Sequence, residues 1–216
     1  MIKLVIFDLD GTLLNTLPTI AYYGNKALGE YGLPAIETER YKALIGNGRD
    51  LLIHRMLAET MNDTPELYQK VGAVYDAAYE ADQLYLTEPY DGIEELLRRL
   101  KEKGVKLAVL SNKPDNVVTP IADKMFDGVF AEVWGKRSDY AVKPAPDAAF
   151  EICRIVGVSA DETAFVGDTS VDIETGKNAG FLTVGVEWGF RTREELEGAG
   201  ADFIVKHPLE IIEKVK

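Results

Sequence analysis

The chain has 216 residues, of which 46% are hydrophobic and 28% charged, and 24 Lys and Arg against 36 Asp and Glu give a formal charge of −12. This is enough apolar material for a real core in one domain or two modest ones, and the acidic balance argues against the basic footprint of a nucleic-acid binder. No apolar run approaches the roughly 18 residues that span a bilayer, and the single cysteine, Cys153, excludes an internal disulfide and a multi-cysteine zinc site.

The opening MIKLVIFDLD reaches acids after a few apolar residues and has no small-residue cleavage site, so a signal peptide is not expected. With one cysteine and no span, the expected compartment is reduced and cytoplasmic, with no membrane partner. Residues 3–7 have strand length and β-branched or aromatic content. Residues 16–87 then show no convincing strand. They read as helices near 18–31, 38–44, 49–60 and 64–86 and hold eight of the ten tyrosines, a stripe that reads as packing. Next comes 91–103, whose Ile93, Leu96, Leu97 and Leu100 follow helical spacing, with Gly104 placed to end the helix. Strand signals recur at 106–110, 129–133, 163–166 and 182–186, and Thr192 and Glu195 have the spacing of a capping box for a helix over 193–198. Strand alternating with helix implies right-handed crossovers. The expected fold is α/β, a doubly wound, Rossmann-like parallel sheet over 1–15 and 88–216 with an all-helical insert at 16–87.

In open α/β sheets ligands bind outside the carboxyl ends of the strands. The first strand is followed by Asp8-Leu9-Asp10-Gly11-Thr12, the second by Ser111-Asn112-Lys113, and the fourth by Gly167-Asp168 with Asp172 four residues on. Lys143-Pro144 precedes a helix between the third and fourth strands. Any one of these could be a cap, a turn former or a solvated lysine. Their coincidence at strand ends from four distant parts of the chain is hard to explain by turns. A calcium loop is excluded, because Gly11 is fourth in the DxDG run where that loop needs its glycine sixth. Cys153 has Ser159 where a C-x₅-R phosphatase carries Arg. Gly176-Lys177 lacks the flanking residues of a P-loop, and His54 and His207 have no constellation near them.

The ordered set Asp8-Leu9-Asp10-Gly11-Thr12-Leu13, Ser111-Asn112-Lys113, Lys143-Pro144 and Gly167-Asp168 with Asp172 resembles the four motifs of the haloacid dehalogenase-like hydrolases, over essentially the whole chain. The helical block is similar to the cap that one subgroup inserts after the first motif. Gly46-Asn47-Gly48, Ser111-Asn112-Lys113-Pro114 and Gly167-Asp168-Thr169 look most like the phosphoglycolate phosphatases. One departure is Asn15, where the family often has a third acid; the amide is read as an anchor for the loop or cap.

The resemblance implies a Mg²⁺-dependent phosphomonoesterase acting on a small-molecule phosphate monoester, as a monomer or homodimer. Asp8 would be the nucleophile, giving an aspartyl-phosphate, and Asp10 the general acid and base. Asp8, the Asp10 carbonyl and Asp168 would hold Mg²⁺, a hard ion that prefers oxygen, with Asp172 orienting a metal-bound water. Ser111 and Lys143 would act on the phosphate, and Thr12, Asn112 and Lys113 would contact substrate. Charge supports a metal, since Lys143 alone leaves the four carboxylates in large excess before any phosphate arrives. Arg49 follows the Gly46-Asn47-Gly48 turn and could take a substrate carboxylate through two parallel hydrogen bonds; the competing reading is a solvated arginine or an ion pair with a nearby acid. A sugar-phosphate mutase of the same superfamily and a non-catalytic phosphate-binding regulator are the alternatives.

Overall fold

In the computed structural model, which describes residues 1–216, the chain runs β1 (Leu4–Phe7), β2 (Leu14–Asn15), α1 (Leu17–Gly29), α2 (Tyr41–Leu44), α3 (Arg49–Glu59), α4 (Pro65–Ala81), β3 (Glu88–Pro89), α5 (Ile93–Glu102) and β4 (Lys106–Pro114). It continues through α6 (Asp115–Phe126), β5 (Glu132–Lys136), α7 (Asp147–Val156), β6 (Thr163–Gly167), α8 (Ser170–Ala179), β7 (Leu182–Val186), α9 (Arg193–Gly198), β8 (Phe203–Val205) and α10 (Ile211–Lys214). Two compact units result, residues 1–15 with 89–216, and residues 16–88.

The first unit is a six-stranded sheet in the order β5-β4-β1-β6-β7-β8, with every pair parallel. β1 lies inside it, and Leu4, Val5, Ile6 and Phe7 are all fully buried. Burial of both faces is why this strand reads as an unbroken apolar run rather than an alternating one. Leu4 and Ile6 pack with Ala108, Leu110 and Phe165 against Ala149 and Ile152 of α7. The stripe of α5, Ile93, Leu96, Leu97 and Leu100, is buried as its spacing requires, and each such side chain contributes roughly 1.5–3 kcal/mol.

Sheet order and register place the site. From β1 the chain builds β4 and β5 on one side, then β6, β7 and β8 on the other, so the order reverses beside β1. That is where an α/β sheet leaves a crevice. In register, Phe7 stands between Val109 and Val166. Asp8, Ser111 and Asp168 follow within two residues and leave the same edge at one level.

Two strands differ from expectation. β5 occupies Glu132–Lys136 rather than 129–133, because the Val129 N–H closes a turn onto the Phe126 carbonyl and pairing starts at Ala108↔Glu132. β4 continues past 110 to Pro114, with an irregular register between Leu110 and Pro114, so Ser111, Asn112 and Lys113 lie in its terminal segment.

The second unit is helical. Tyr23, Tyr41, Ile53, Met56, Leu57, Val71, Tyr75 and Tyr79 form its buried interior, so the tyrosines mainly pack against one another. The last helix ends at Ala81 rather than near 86. The carbonyls beyond it are taken by side chains: Tyr23 donates to Asp82 at 2.7 Å and Thr19 to Tyr85 at 2.6 Å.

Candidate active site

The turn after β1 is short and tight. The Gly11 N–H donates to the Leu14 carbonyl at 2.9 Å, and the Leu13 and Leu14 N–H groups both donate to the Leu9 carbonyl. Gly11 has φ +84°, and a Cβ there would lie 2.4 Å from Asp168 Oδ2, so both conformation and space require glycine. The turn presents Asp8 and Asp10 from one loop, with Asp8 buried and Asp10 partly open.

Lys143 unites three of the motifs. Its Nζ donates to Asp8 Oδ1 at 2.8 Å and to Asp172 Oδ1 at 2.6 Å, and all three side chains are buried. Asp172 is fixed at its other oxygen, where Oδ2 accepts from the Thr169 N–H and hydroxyl in the capping box of α8. Asp168, with no exposed surface, accepts from Thr12 Oγ1 at 3.1 Å and from the Phe190 N–H at 2.8 Å. Carboxylate oxygens of Asp8, Asp168 and Asp172 lie within 4.8 Å of one another.

One ammonium among three buried carboxylates sets the electrostatics. Burial pushes the Asp8 carboxyl up to about 7, with Asp172 and Asp10 adding to the rise and Lys143 opposing it. Asp168 is raised well above the usual carboxylate range by burial and by the charges of Asp172 and Asp8, against the donors from Phe190 and Thr12. Burial works against the charge on Lys143, but Asp172 and Asp8 outweigh it and raise its pKa. The cluster therefore has more negative charge than it can hold ionised. Hard oxygen donors in excess of local positive charge are the donor set a small divalent cation takes.

Ser111 is buried at the end of β4, its hydroxyl accepting from the Lys113 N–H at 3.3 Å. Thr12 is buried and faces Asp168. Lys113 Nζ donates to both Asp10 oxygens at 2.8 and 3.0 Å, a second cation that the charge argument had not placed beside the acids. Asn112 faces the main chain of Lys143. Arg49 lies in the second unit, where it takes Asp76 through two hydrogen bonds of 2.8 and 2.6 Å and reaches Asp50 and Tyr68 at 3.3 Å. A Cβ at Gly72 would come within 2.2 Å of that guanidinium, so glycine makes its berth.

Two features went unread in the sequence. The loop after β7 contributes the Phe190 N–H to Asp168 and the Trp188 indole N–H to the Thr12 carbonyl. Tyr90 stands near Asp168 and Asp10, and burial and those two charges hold its phenol protonated above the usual range. The available signal was Trp188-Gly189-Phe190 one residue past a strand, at the edge where ligands collect.

A profile of the haloacid dehalogenase-like hydrolase family matches residues 2–180. The chain belongs to the haloacid dehalogenase-like hydrolases. It is 34% identical over 208 residues to a phosphoglycolate phosphatase of Haemophilus influenzae (strain ATCC 51907 / DSM 11121 / KW20 / Rd), covering 94% of this chain and 93% of that protein. It is 32% identical over 221 residues to a phosphoglycolate phosphatase of Vibrio parahaemolyticus, covering 99% and 96%. A crystal structure from Lactobacillus delbrueckii subsp. bulgaricus superposes with a TM-score of 0.94 at 31% identity, covering 99% of this chain and 98% of that one. Within the haloacid dehalogenase-like hydrolases the chain is a phosphatase. No helix is long and apolar enough to cross a membrane.

Proposed function

We propose that this phosphatase is a Mg²⁺-dependent phosphomonoesterase that works through an aspartyl-phosphate on Asp8, and that its substrate is a small phosphorylated acid of the phosphoglycolate type. The observation that carries the mechanism is the pairing of Lys143 with Asp8 and Asp172, buried together beside Asp168. The substrate class is supported by the names of the relatives.

An Asp8 oxygen attacks phosphorus, a new O–P bond forms, and the bond from phosphorus to the ester oxygen breaks. Asp10 gives its proton to that leaving oxygen. It then takes a proton from water, whose oxygen attacks phosphorus and releases Asp8 and inorganic phosphate. Lys143 orients Asp8 through Oδ1, and Ser111 and Lys113 stand at the same edge to take phosphoryl oxygens. The carboxylates of Asp8 and Asp168 and the Asp10 carbonyl would hold Mg²⁺, with Asp172 acting through water. Bound there, a divalent cation offsets the carboxylate excess and polarises the phosphoryl group.

The test is phosphate release from a panel of monoesters with Mg²⁺, together with acid-quench trapping of phosphoenzyme. The expected result is highest kcat/KM on a two-carbon carboxylated monoester and an acid-stable, hydroxylamine-labile phosphoryl group absent from Asp8→Asn. Turnover without a phosphoenzyme refutes the mechanism. Equal kcat/KM across carboxylated and neutral monoesters refutes the substrate class.

A further inference from the structure

Asp168 is held by a loop that carries no acid or base at the point of contact. After β7 the chain reads Glu187-Trp188-Gly189-Phe190. The Phe190 N–H donates to Asp168 Oδ2 at 2.8 Å, Thr12 Oγ1 donates to Asp168 Oδ1 at 3.1 Å, and the Trp188 Nε1–H donates to the Thr12 carbonyl at 3.0 Å. The three bonds close a ring from loop to Thr12 to Asp168 and back to the loop.

Gly189 sits between the two donors. A Cβ there would lie 2.2 Å from Asp168 Cβ, 2.5 Å from Asp168 Oδ2 and 2.5 Å from the Gly11 carbonyl. Here space alone requires glycine. The main chain of the loop is thus packed directly on the aspartate.

A carboxylate torsion is normally broad. A fixed donor on each oxygen removes that freedom, yet each oxygen keeps a second lone pair for another partner. A ligand already oriented in this way loses little on taking a cation, which is why the outer partners of metal ligands affect affinity.

We propose that Trp188, Gly189 and the Phe190 main chain form a positioning wall that presents the Asp168 carboxylate to a divalent cation, with Trp188 acting through Thr12. The inference rests on the assignment of Asp168 as a metal ligand made above.

The experiment is a calorimetric titration of Mg²⁺ into the full-length metal-free protein and its Trp188→Phe, Gly189→Ala and Asp168→Asn variants. Circular dichroism and Tm in EDTA are measured on each, and aryl phosphate hydrolysis is followed at rising Mg²⁺. Trp188→Phe keeps an aromatic ring at the position and removes the indole N–H donor. It should weaken Mg²⁺ about 10-fold, and Gly189→Ala about 10- to 100-fold, while kcat at saturating Mg²⁺ falls far less than the affinity. Wild-type Mg²⁺ affinity in Trp188→Phe overturns the proposal, and so does a loss confined to kcat. If Gly189→Ala does not fold, Trp188→Phe alone decides. If wild type takes up no Mg²⁺, or Asp168→Asn binds it as tightly as wild type, the metal assignment fails first, and that outcome is distinct from a failure of the wall.

Discussion

The Asn112 side chain grips Lys143 by its main chain: Nδ2 donates to the Lys143 carbonyl at 3.1 Å and Oδ1 accepts from the Lys143 N–H at 2.9 Å. Both bonds are buried, and they tie the end of β4 to the loop that carries the ammonium. Asn112→Ala removes both and leaves a buried N–H and carbonyl without these partners, a loss of about 1–3 kcal/mol for each. We expect Tm and kcat to fall together, kcat by about 10-fold, because Lys143 loses its anchor beside Asp8. Asn112→Asp keeps an acceptor for the N–H but sets an oxygen against the Lys143 carbonyl, so it should not restore the wild-type Tm. A rise in KM with Tm unchanged would instead make Asn112 a substrate contact.

Asp8→Asn should keep the fold and remove turnover by several orders of magnitude, since the amide nearly matches the carboxylate in shape but is a poor nucleophile. The check is phosphate release beside a circular dichroism spectrum. More than about a tenth of the wild-type rate would contradict covalent catalysis at this residue.

The metal-free protein should lose stability as pH rises from about 5 to about 8. Burial, helped by Asp172 and Asp10, raises the folded pKa of Asp8 to about 7. A free aspartate titrates at about 3.9. Between those values the folded chain binds more protons than the unfolded one, so each rise in pH favours unfolding. Asp168, raised by burial and its neighbours, adds the same sign. Mg²⁺ favours the ionised carboxylates, so the gain in Tm on adding it should grow over the same range. Asp8→Asn should flatten the fall in EDTA; identical slopes for the two proteins would remove Asp8 as its cause.

Removing divalent metal should abolish turnover, and Ca²⁺ should not restore it. Ca²⁺ takes 6–8 oxygen ligands and tolerates bidentate carboxylates, which would tie up both oxygens of Asp8. Full activity in EDTA contradicts the assignment.

Arg49→Ala tests the arginine whose Nε and Nη2 hold the two carboxylate oxygens of Asp76. We expect the helical unit to lose about 1 kcal/mol, the scale of a partly exposed, bidentate pair, with equal changes in kcat/KM for a carboxylated monoester and an aryl phosphate. A loss of roughly 10- to 100-fold confined to the carboxylated substrate would show that Arg49 reads it.

The acids of the site were legible because chemistry and topology coincide: Asp8 and Asp168 follow apolar strands, and strand ends are where ligands gather. The start of β5 was not legible, since the apolar run near Val129 has the composition of a strand and only pairing with Ala108 sets its register. Lys113 could be read as a site cation, yet its choice of Asp10 depends on the bend at the end of β4. The loop at Gly189 was hidden for a different reason. Its residues stand in the sequence at a strand end, but what they do there, a main-chain N–H and an indole N–H given to Asp168 and Thr12, is set by contacts between distant parts of the chain.

The hydrogen bond from Trp188 to Thr12 spans 176 positions, and β1 needs both β4 and β6 as neighbours. On the ribosome, Leu4–Phe7 emerges long before either strand exists, and such distant pairings are slow to close. For most of synthesis this wholly apolar segment has no sheet to join, so its burial waits on strands translated much later. Asp8 gains Lys143, Asp168 and Asp172 only after residue 172 has left the exit tunnel, so nascent chains stalled before Phe190, which completes the partners of Asp168, should be catalytically silent.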